Sequence, residues 1–350
     1  MSDPRALIMA LPNPVILIDA HDKISGANNP AKQMIGTDPE GLHYVTALRQ
    51  PALLDAVEAT LKDAQGRSAR YQRTDGVRDM MWDVTVSGVT LADGRTVVLS
   101  FQDMTPLEDA GEMRRDFVAN VSHELRTPLT SMMGFIETLR GPAKGDPKAH
   151  DRFLGIMEQE AGRMHLLVED LLQLSRVEGQ ERIRPTAKVP LQDLVGSVLD
   201  ALRPTADAKG VALRADMPDK AVKIPGDREQ LWRVVSNLVE NAIKYGAENG
   251  TVKIRLSGPV HEPSLLQSGI RLSVLDHGEG IAAHHIARLT ERFYRVDSHR
   301  SREVGGTGLG LAIVKHIINR HRGQLRVQSV LGEGTEFTVI LPASTGSAAE

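Results

Sequence analysis

The sequence predicts a multidomain α+β protein made of three segments that differ in their hydrophobic periodicity. Apolar residues alternate with polar ones up to about residue 105, and they recur every three or four residues from 106 to 180. From 188 to 343, segments of alternation and segments of the longer period follow one another. Alternation is typical of a strand with one buried face, and the longer period is typical of an amphipathic helix. We therefore expect three domains, 1–105, 106–180 and 188–343, followed by a short tail, 344–350.

Residues 1–105 are predicted to form a small antiparallel sheet with helices. A short apolar run from Val15 ends in a turn at His21-Asp22-Lys23, and a return strand starts at Ile24. Asp93-Gly94 separates two alternating runs, which is a good hairpin signal. The apolar members of these two runs are Met80, Trp82, Val84, Val86, Val97, Leu99 and Phe101. Short helices are expected from Asn28 onward and over 51–62.

Residues 106–180 are predicted to form two long amphipathic helices joined by a Gly/Pro loop. Gly141-Pro142 and Gly145-Asp146-Pro147 interrupt the pattern between them. The apolar seams are Val118, Val121, Leu125, Leu129, Met132, Ile136 and Leu139, and then Phe153, Met157, Met164, Leu167, Leu171 and Leu174. Because two helices alone bury little surface, we expect a second copy to complete a four-helix bundle. An intramolecular spacer is the alternative.

Residues 188–343 are predicted to form a layer of strands and helices. Asp227 followed by Gln230 resembles a capping box. The helix after it carries an apolar face of Leu231, Val234, Val235, Leu238, Ala242 and Tyr245. Ile270, Leu272 and Val274 then alternate toward Asp276, as in a strand.

The composition excludes several classes of protein. Hydrophobic residues make up 41% and charged residues 25%, as in ordinary globular chains. The 42 Lys and Arg against 45 Asp and Glu leave a net charge of −3, which does not favour a direct nucleic-acid partner. The absence of cysteine excludes disulfides and thiol nucleophiles. With no apolar run of roughly 18–20 residues and no signal-peptide pattern at Met1, we expect a cytoplasmic protein that meets membranes only through a partner.

A candidate catalytic site lies on the first long helix, at His123-Glu124-Leu125-Arg126-Thr127-Pro128. Since a helix advances about 100° per residue, His123 and Thr127 share a face nearly opposite the apolar seam. A zinc-protease motif would require a second histidine where Thr127 stands. A neutral imidazole is a competent nucleophile, and Glu124 could orient it and take its proton. A solvated surface histidine is the alternative.

A candidate nucleotide site lies in the last segment. Asn237, Asn241 and Lys244 form a polar stripe whose amide oxygens suit Mg²⁺ and whose lysine can neutralise phosphates. Asp276 ends a strand before two glycines, where it could accept a hydrogen bond from a base amine. The run Gly305-Gly306-Thr307-Gly308-Leu309-Gly310 opens a helix, as phosphate cradles do. It matches neither a dinucleotide fingerprint nor a P-loop.

Taken together, these residues resemble those of bacterial sensor histidine kinases. Residues 117–135 (FVANVSHELRTPLTSMMGF) resemble the phosphoacceptor box, 237–245 (NLVENAIKY) the N box, and 276–281 the first glycine box. Residues 291–295 (ERFYR) resemble the F box, 306–314 (GTGLGLAIV) the second glycine box, and 332–337 (GEGTEF) the last one. The first hundred residues are similar to a PAS sensor domain, and Asp103-Met104-Thr105 to its exit signal.

The resemblance implies a role for each matched residue. His123 would be phosphorylated by ATP with Glu124 as its acid/base partner, and Thr127 would orient water for a phosphatase activity. Asn237 and Asn241 would hold Mg²⁺. The remaining nucleotide-binding residues implied are Lys244, Tyr245, Asp276, Gly278, Gly280, Phe293, Arg295, Gly306, Thr307, Gly308, Leu309, Gly310 and Thr335, among which Gly306, Gly308 and Gly310 would hinge a lid over ATP.

The resemblance also implies an architecture and partners. It implies a PAS domain, a dimeric four-helix bundle and a GHKL-type α/β-sandwich ATP-binding domain. The implied assembly is a homodimer whose partner is a response-regulator receiver domain. The sequences of the phosphoacceptor and lid regions most resemble those of the phosphate-regulon sensors of proteobacteria, which commonly carry membrane helices before the PAS domain. None stands here, so we expect either a naturally soluble or a trimmed chain, with a slight preference for the complete soluble form. The PAS ligand stays open, and an ATP-driven conformational machine or an inactive scaffold are the rival functions.

Overall fold

The computed structural model describes residues 4–75, 78–91, 94–181, 183–296 and 306–343. They divide into two compact units, Met1–Ala119 and Asn120–Glu350. Asp93 of the predicted hairpin turn, Gly305 and the tail 344–350 lie outside the described residues. Among the helices of the described ranges, none has the length and apolar character needed to cross a lipid bilayer.

The first unit is built on a five-stranded antiparallel sheet with the order β2-β1-β5-β4-β3. Its strands are β1 (Val15–Ile18), β2 (Ile24–Ala27), β3 (Arg67–Asp75), β4 (Arg78–Leu91) and β5 (Gly94–Asp103). Both predicted hairpins are confirmed, since β1 pairs with β2 and β4 pairs with β5. The helices are α1 (Pro4–Met9), α2 (Asn29–Ile35), α3 (Tyr44–Leu48) and α4 (Pro51–Asp63).

An aromatic cluster lies in the core of the first unit. The ring of Tyr71 meets that of Phe101 edge-on at 5.6 Å and lies 5.8 Å from that of Trp82. All three side chains are buried beside the aliphatic residues of β4 and β5. This packing confirms the alternating inward positions that the sequence predicts for the two strands.

Asn28 is a fully buried polar residue that ties three parts of the first unit together. Its Oδ1 accepts hydrogen bonds from the backbone N–H of Val15 at 2.9 Å and of Ala31 at 3.1 Å. Its Nδ2 lies within hydrogen-bond distance of three carbonyl oxygens in and after α1, the nearest being that of Asn13 at 2.8 Å. The amide therefore joins α1, β1 and the start of α2, and leaves no part of its hydrogen-bonding capacity unused.

Two long helices form an antiparallel hairpin, as the sequence predicts. They are α5 (Thr105–Arg140) and α6 (Pro147–Gln180), and α5 begins in the first unit and continues into the second. Asp146 caps α6, and the rings of Phe135 and Phe153 stack at 5.2 Å near the loop. Large apolar side chains stay exposed along both helices: Val118, Leu129, Met133, Ile136, Leu154, Leu166, Val168 and Leu172.

The C-terminal half is an α/β sandwich that confirms the predicted fold class. Its main sheet has the order β11-β12-β10-β9-β7, and β6 pairs with β8 separately. The strands are β6 (Lys188–Pro190), β7 (Ala212–Asp216), β8 (Lys223–Pro225), β9 (Thr251–Glu262), β10 (Gln267–Asp276), β11 (Gln324–Val330) and β12 (Gly334–Pro342). The helices are α7 (Leu191–Asp207), α8 (Arg228–Tyr245), α9 (Ala283–Ile286) and α10 (Gly310–Arg320).

The predicted apolar face of α8 is buried except at its end. Leu231, Val234, Val235, Leu238 and Ala242 are buried, but Tyr245 is 45% exposed, so its assignment to the core is wrong. Tyr245 is the last residue of the helix, and the chain turns away at Gly246 before the ring can reach the layer that covers the other positions.

The start of α8 forms half of the predicted capping box. The Asp227 carboxylate accepts hydrogen bonds from the N–H groups of Glu229 and Gln230. The N–H of Asp227 itself donates to Nε2 of His321, at 3.0 Å, instead of to Gln230. The reciprocal bond of a capping box is therefore supplied from α10's end, and Oε1 of Gln230 is buried with no partner among the described residues.

Candidate active site

His123, Glu124 and Thr127 lie in the middle of α5. His123 and Thr127 are both exposed, as predicted, and Thr127 Oγ1 donates to the carbonyl oxygen of His123 at 3.2 Å. Pro128 follows inside the helix and has no N–H to bond the carbonyl of Glu124. The imidazole therefore stands on the solvent side of the helix, within reach of an incoming group.

Glu124 faces the C-terminal half of the chain. Its carboxylate lies 3.7 Å from the guanidinium of Arg163 on α6 and 3.8 Å from that of Arg295. A cavity of about 10 Å³, room for one water molecule, is lined by Glu124, Pro128 and Thr307, among others. The predicted acid/base residue and a predicted lid residue are thus brought to the same place.

Asn237 presents its amide oxygen to the loop before α10. Its Nδ2 donates to the carbonyl oxygen of Arg233 at 2.9 Å, and this bond fixes the orientation of the amide. A Cβ added to Gly310 would lie 2.4 Å from Oδ1 of Asn237. Asn241 and Lys244 follow at one and two turns and are half-buried. The three predicted residues therefore share the helix face beside the loop.

Asp276 is a buried carboxylate at the end of β10, 5% exposed. Its Oδ1 accepts from the N–H of Gly278 at 2.9 Å. Burial raises the pKa of the Asp276 carboxyl, while backbone hydrogen bonds from Gly278 and Thr335 oppose the rise. Thr335 stands directly opposite Asp276 on β12, which brings these three predicted residues together.

The glycines beside Asp276 allow segments of backbone to approach closely. A Cβ at Gly278 would lie 2.1 Å from the carbonyl oxygen of Tyr245. Gly280 has φ +71°, and a Cβ there would lie 2.1 Å from the carbonyl oxygen of Val330. Neither position has room for a side chain, so the turn after β10 requires glycine twice.

Two short segments, the lid turn (residues 293–295) and the glycine loop (residues 306–310), are bonded to each other. The N–H of Phe293 donates to the carbonyl oxygen of Gly308 at 2.9 Å, and Arg295 donates to the carbonyl oxygen of Gly306. Phe293 and Gly308 both have positive φ, +64° and +74°. Leu309 is fully buried and anchors the loop at the start of α10.

Asp170 on α6 joins the hairpin to the glycine loop. It accepts from Thr307 Oγ1 at 2.7 Å and from the guanidinium of Arg233 on α8 at 3.1 Å. Asp170 is a residue that the sequence reasoning missed. The available signal was a carboxylate interrupting the apolar stretch between Leu167 and Leu171 of α6.

A second set of polar contacts lies at the end of α6. Glu178 pairs with Arg292 at 2.5 Å, and the ring of His316 on α10 lies between Glu178 at 3.4 Å and Glu181 at 3.2 Å. These residues were also missed, because charged residues near a helix end carry no signal of their own in the sequence.

Two family models match the parts of the chain that carry these residues. Residues 226–345 match the family model "Histidine kinase-, DNA gyrase B-, and HSP90-like ATPase", and residues 113–180 match "His Kinase A (phospho-acceptor) domain". The chain is 31% identical over 342 residues to the sensor protein kinase WalK of Staphylococcus aureus, which covers 96% of this chain and 80% of that protein. This chain belongs to the sensor histidine kinases.

Other histidine kinases show how far the likeness extends. The chain is 40% identical over 250 residues to the phosphate regulon sensor protein PhoR of Pseudomonas aeruginosa, covering 71% of this chain and 55% of PhoR. It spans 40% of the sensor histidine kinase WalK of Bacillus subtilis, at 36% identity. A solved structure of histidine kinase ThkA in complex with response regulator protein TrrA has the same fold, with a TM-score of 0.53, 20% identity, and coverage of 99% of this chain and 100% of that one.

Proposed function

We propose that this histidine kinase phosphorylates its own His123 from ATP and passes the phosphoryl group to an aspartate of a response regulator. The observation that carries the proposal is the contact of Glu124 with Arg295, 3.8 Å apart. Through it, the helix that bears an exposed histidine meets the lid turn of a nucleotide-binding fold.

The residues around Asp276 fit the adenine end of ATP. As an ionised carboxylate, Asp276 can accept a hydrogen bond from the exocyclic amine, and the exposed ring of Tyr245 offers a face beside it. The residues to which we assign nucleotide contacts are Lys244, Tyr245, Asp276, Gly278, Gly280, Phe293, Arg295, Gly306, Thr307, Gly308, Leu309, Gly310 and Thr335.

Asn237 and Asn241 fit a magnesium ion that accompanies the triphosphate. The Nδ2 of Asn237 is already engaged by Arg233, so its oxygen is the atom left to face a cation. Amide oxygens are hard ligands of the kind that Mg²⁺ prefers. When bound, the ion neutralises phosphate charge that would otherwise oppose transfer.

The bonds and protons that change in the transfer belong to His123, Glu124 and the nucleotide. An imidazole nitrogen of His123 attacks the γ-phosphorus, the bond to the β,γ-bridging oxygen breaks, and ADP leaves with that electron pair. Glu124 takes the ring proton displaced in the attack. Arg295, beside Glu124, adds positive charge where the transferred group carries negative charge.

We further propose the domain organisation and the partners. Residues 1–105 form a PAS sensor domain, 106–180 the dimerisation and phosphotransfer hairpin, and 188–343 the ATP-binding domain, with a tail at 344–350. The exposed apolar side chains of α5 and α6 favour a homodimer with a four-helix bundle. The 40% identity to a phosphate regulon sensor favours a phosphate-responsive signal, and Thr127 beside His123 favours a phosphatase activity toward the regulator.

Substitution of His123 tests the kinase proposal. His123→Ala is expected to abolish acid-labile labelling from γ-labelled ATP while leaving ADP affinity unchanged, because the imidazole is remote from Asp276 in the chain and only accepts the phosphoryl group. His150→Ala, an exposed histidine on α6, is the matched control and keeps full labelling. Labelling that persists in His123→Ala contradicts the assignment, and steady ATP hydrolysis without phosphoprotein favours the ATP-driven machine instead.

Profiling of phosphotransfer to the response regulators of the host identifies the partner. With that regulator phosphorylated, Thr127→Ala is expected to lengthen the lifetime of its aspartyl phosphate without loss of His123 labelling. An unchanged lifetime contradicts the phosphatase proposal alone.

A further inference from the structure

The lid turn is held from outside the nucleotide site by a hydrogen bond between two aromatic residues. Nδ1 of His285, on α9, lies 2.5 Å from the hydroxyl of Tyr294. The guanidinium of Arg288 lies over the same ring, 4.2 Å from its centroid, and pairs with Glu291 at 3.1 Å. Tyr294 is therefore fixed at both its hydroxyl and its face.

The neighbours of Tyr294 make the contacts on which phosphoryl transfer depends. Phe293 bonds the glycine loop at Gly308, and Arg295 bonds it at Gly306 and lies beside Glu124. Since peptide geometry couples adjacent residues, fixing the Tyr294 ring limits where both neighbours can stand. A left-handed φ at Phe293 persists only where the surroundings hold it.

We propose that His285 and Tyr294 are positioning residues whose hydrogen bond holds the lid turn against the glycine loop during phosphoryl transfer. This inference rests on the proposed kinase function and names residues that assist it without touching substrate. The hydrogen bond of the pair and the ring contacts of Tyr294 involve neither Asp276 nor Asn237, so we expect adenine and cation binding to be kept when the bond is removed.

Four variants separate this role from general packing. Tyr294→Phe removes the hydroxyl and keeps the ring under Arg288. His285→Leu removes the ring nitrogens, whereas His285→Asn places an amide near the position of Nδ1. His150→Gln, at an exposed histidine on α6, is the control, because the ring of His284 packs against that of His285 at 3.9 Å and is not independent of the pair.

The expected result is a loss of rate without a loss of affinity. At saturating ATP, Tyr294→Phe and His285→Leu lower the initial rate of His123 labelling roughly tenfold, the value of one hydrogen bond, with little change in KM. The double variant is no slower than either single variant, since both remove the same bond. His285→Asn recovers most of the rate, and His150→Gln retains all of it.

Amide hydrogen exchange supplies a readout that needs no activity. In Tyr294→Phe the N–H groups of residues 293–295 exchange faster than in the parent, while those of β10 do not. An unchanged rate in Tyr294→Phe, multiplying effects in the double variant, or a parallel loss of ADP affinity would overturn the inference. Absence of label in the parent protein would contradict the proposed kinase function, and the exchange measurement would still decide whether the pair holds the turn.

Discussion

His321 is expected to make the stability of the C-terminal half depend on pH near neutrality. The imidazole is 1% exposed, its Nδ1 lies 2.7 Å from the carbonyl oxygen of Ile317, and its Nε2 accepts from the N–H of Asp227. A carbonyl can only accept and a backbone N–H can only donate, so the ring must be neutral with its proton on Nδ1. Protonating Nε2 removes the acceptor that caps the start of α8.

The sign and size of the effect follow from proton linkage. Burial lowers the pKa of His321 below its ordinary value of 6.5, although Asp227 and the Ile317 carbonyl oppose this and Arg320 adds to it. The unfolded chain then binds more protons, so stability is full above pH 6.5 and falls as the pH drops below it. Between about pH 7.5 and about pH 5.5, the unfolding free energy is expected to fall by at most about 1.4 kcal/mol, the limit for a ring that stays fully neutral in the native state.

Urea denaturation followed by tryptophan fluorescence measures this loss. The chain has two tryptophans, Trp82 in the first unit and Trp232 on α8, so a Trp82→Phe background leaves one reporter in the C-terminal half. His321→Gln can still accept from the Asp227 N–H but does not titrate, and its unfolding free energy is expected to change less between the two pH values. His150→Gln, at an exposed histidine, keeps the parent's dependence. Parallel pH profiles for the parent and His321→Gln would refute the reasoning.

Three further outcomes are expected. Gly280→Ala lowers ADP affinity in calorimetry at least about tenfold, because a Cβ there meets the Val330 carbonyl oxygen and φ is +71°; normal binding would show that the turn can shift. When the pH is lowered, ADP affinity is expected to fall at a higher pH than the protonation of an ordinary carboxyl would produce, because burial raises the pKa of Asp276. Asp276→Asn should flatten this pH profile. Asn28→Ala destabilises the first unit by about 2–4 kcal/mol in Trp82-detected denaturation, since it orphans buried backbone groups; a loss below about 1 kcal/mol would contradict the assigned role.

Local signals predicted most of the secondary structure because it depends on neighbours in the chain. The period of α8 and the alternation along β4 and β5 each concern residues a few positions apart, and both predictions are confirmed. Tyr245 was wrongly placed in the core because the apolar period of the sequence continues to the end of α8, whereas the layer that buries the other apolar residues of this helix does not extend that far.

The candidate site was predictable in its residue types but not in its contacts. Gly278 and Gly280 were expected to let the backbone approach a ligand. In the structure, a Cβ added at either glycine would meet the backbone of a distant segment, at Tyr245 or at Val330. The bond from Asp170 to Thr307 spans 137 positions, and that from Asp227 to His321 spans 94. Such pairs are selected by tertiary packing, for which a single sequence has no periodic signature.

The carboxylates of α6 give the junction between the hairpin and the ATP-binding fold a graded strength. Asp170 and Glu178 meet arginines, and Glu181 meets the imidazole of His316, at successive levels along α6 and its C-cap. The three carboxylate side chains are 18%, 33% and 36% exposed. Ion pairs that reach solvent contribute only up to about 1 kcal/mol each. Separate weak contacts can break one after another, without a single high barrier. Because salt weakens ion pairs that reach solvent, we expect the hairpin and the ATP-binding fold to separate more readily as the ionic strength rises, which would let the nucleotide move toward the exposed histidine and away from it.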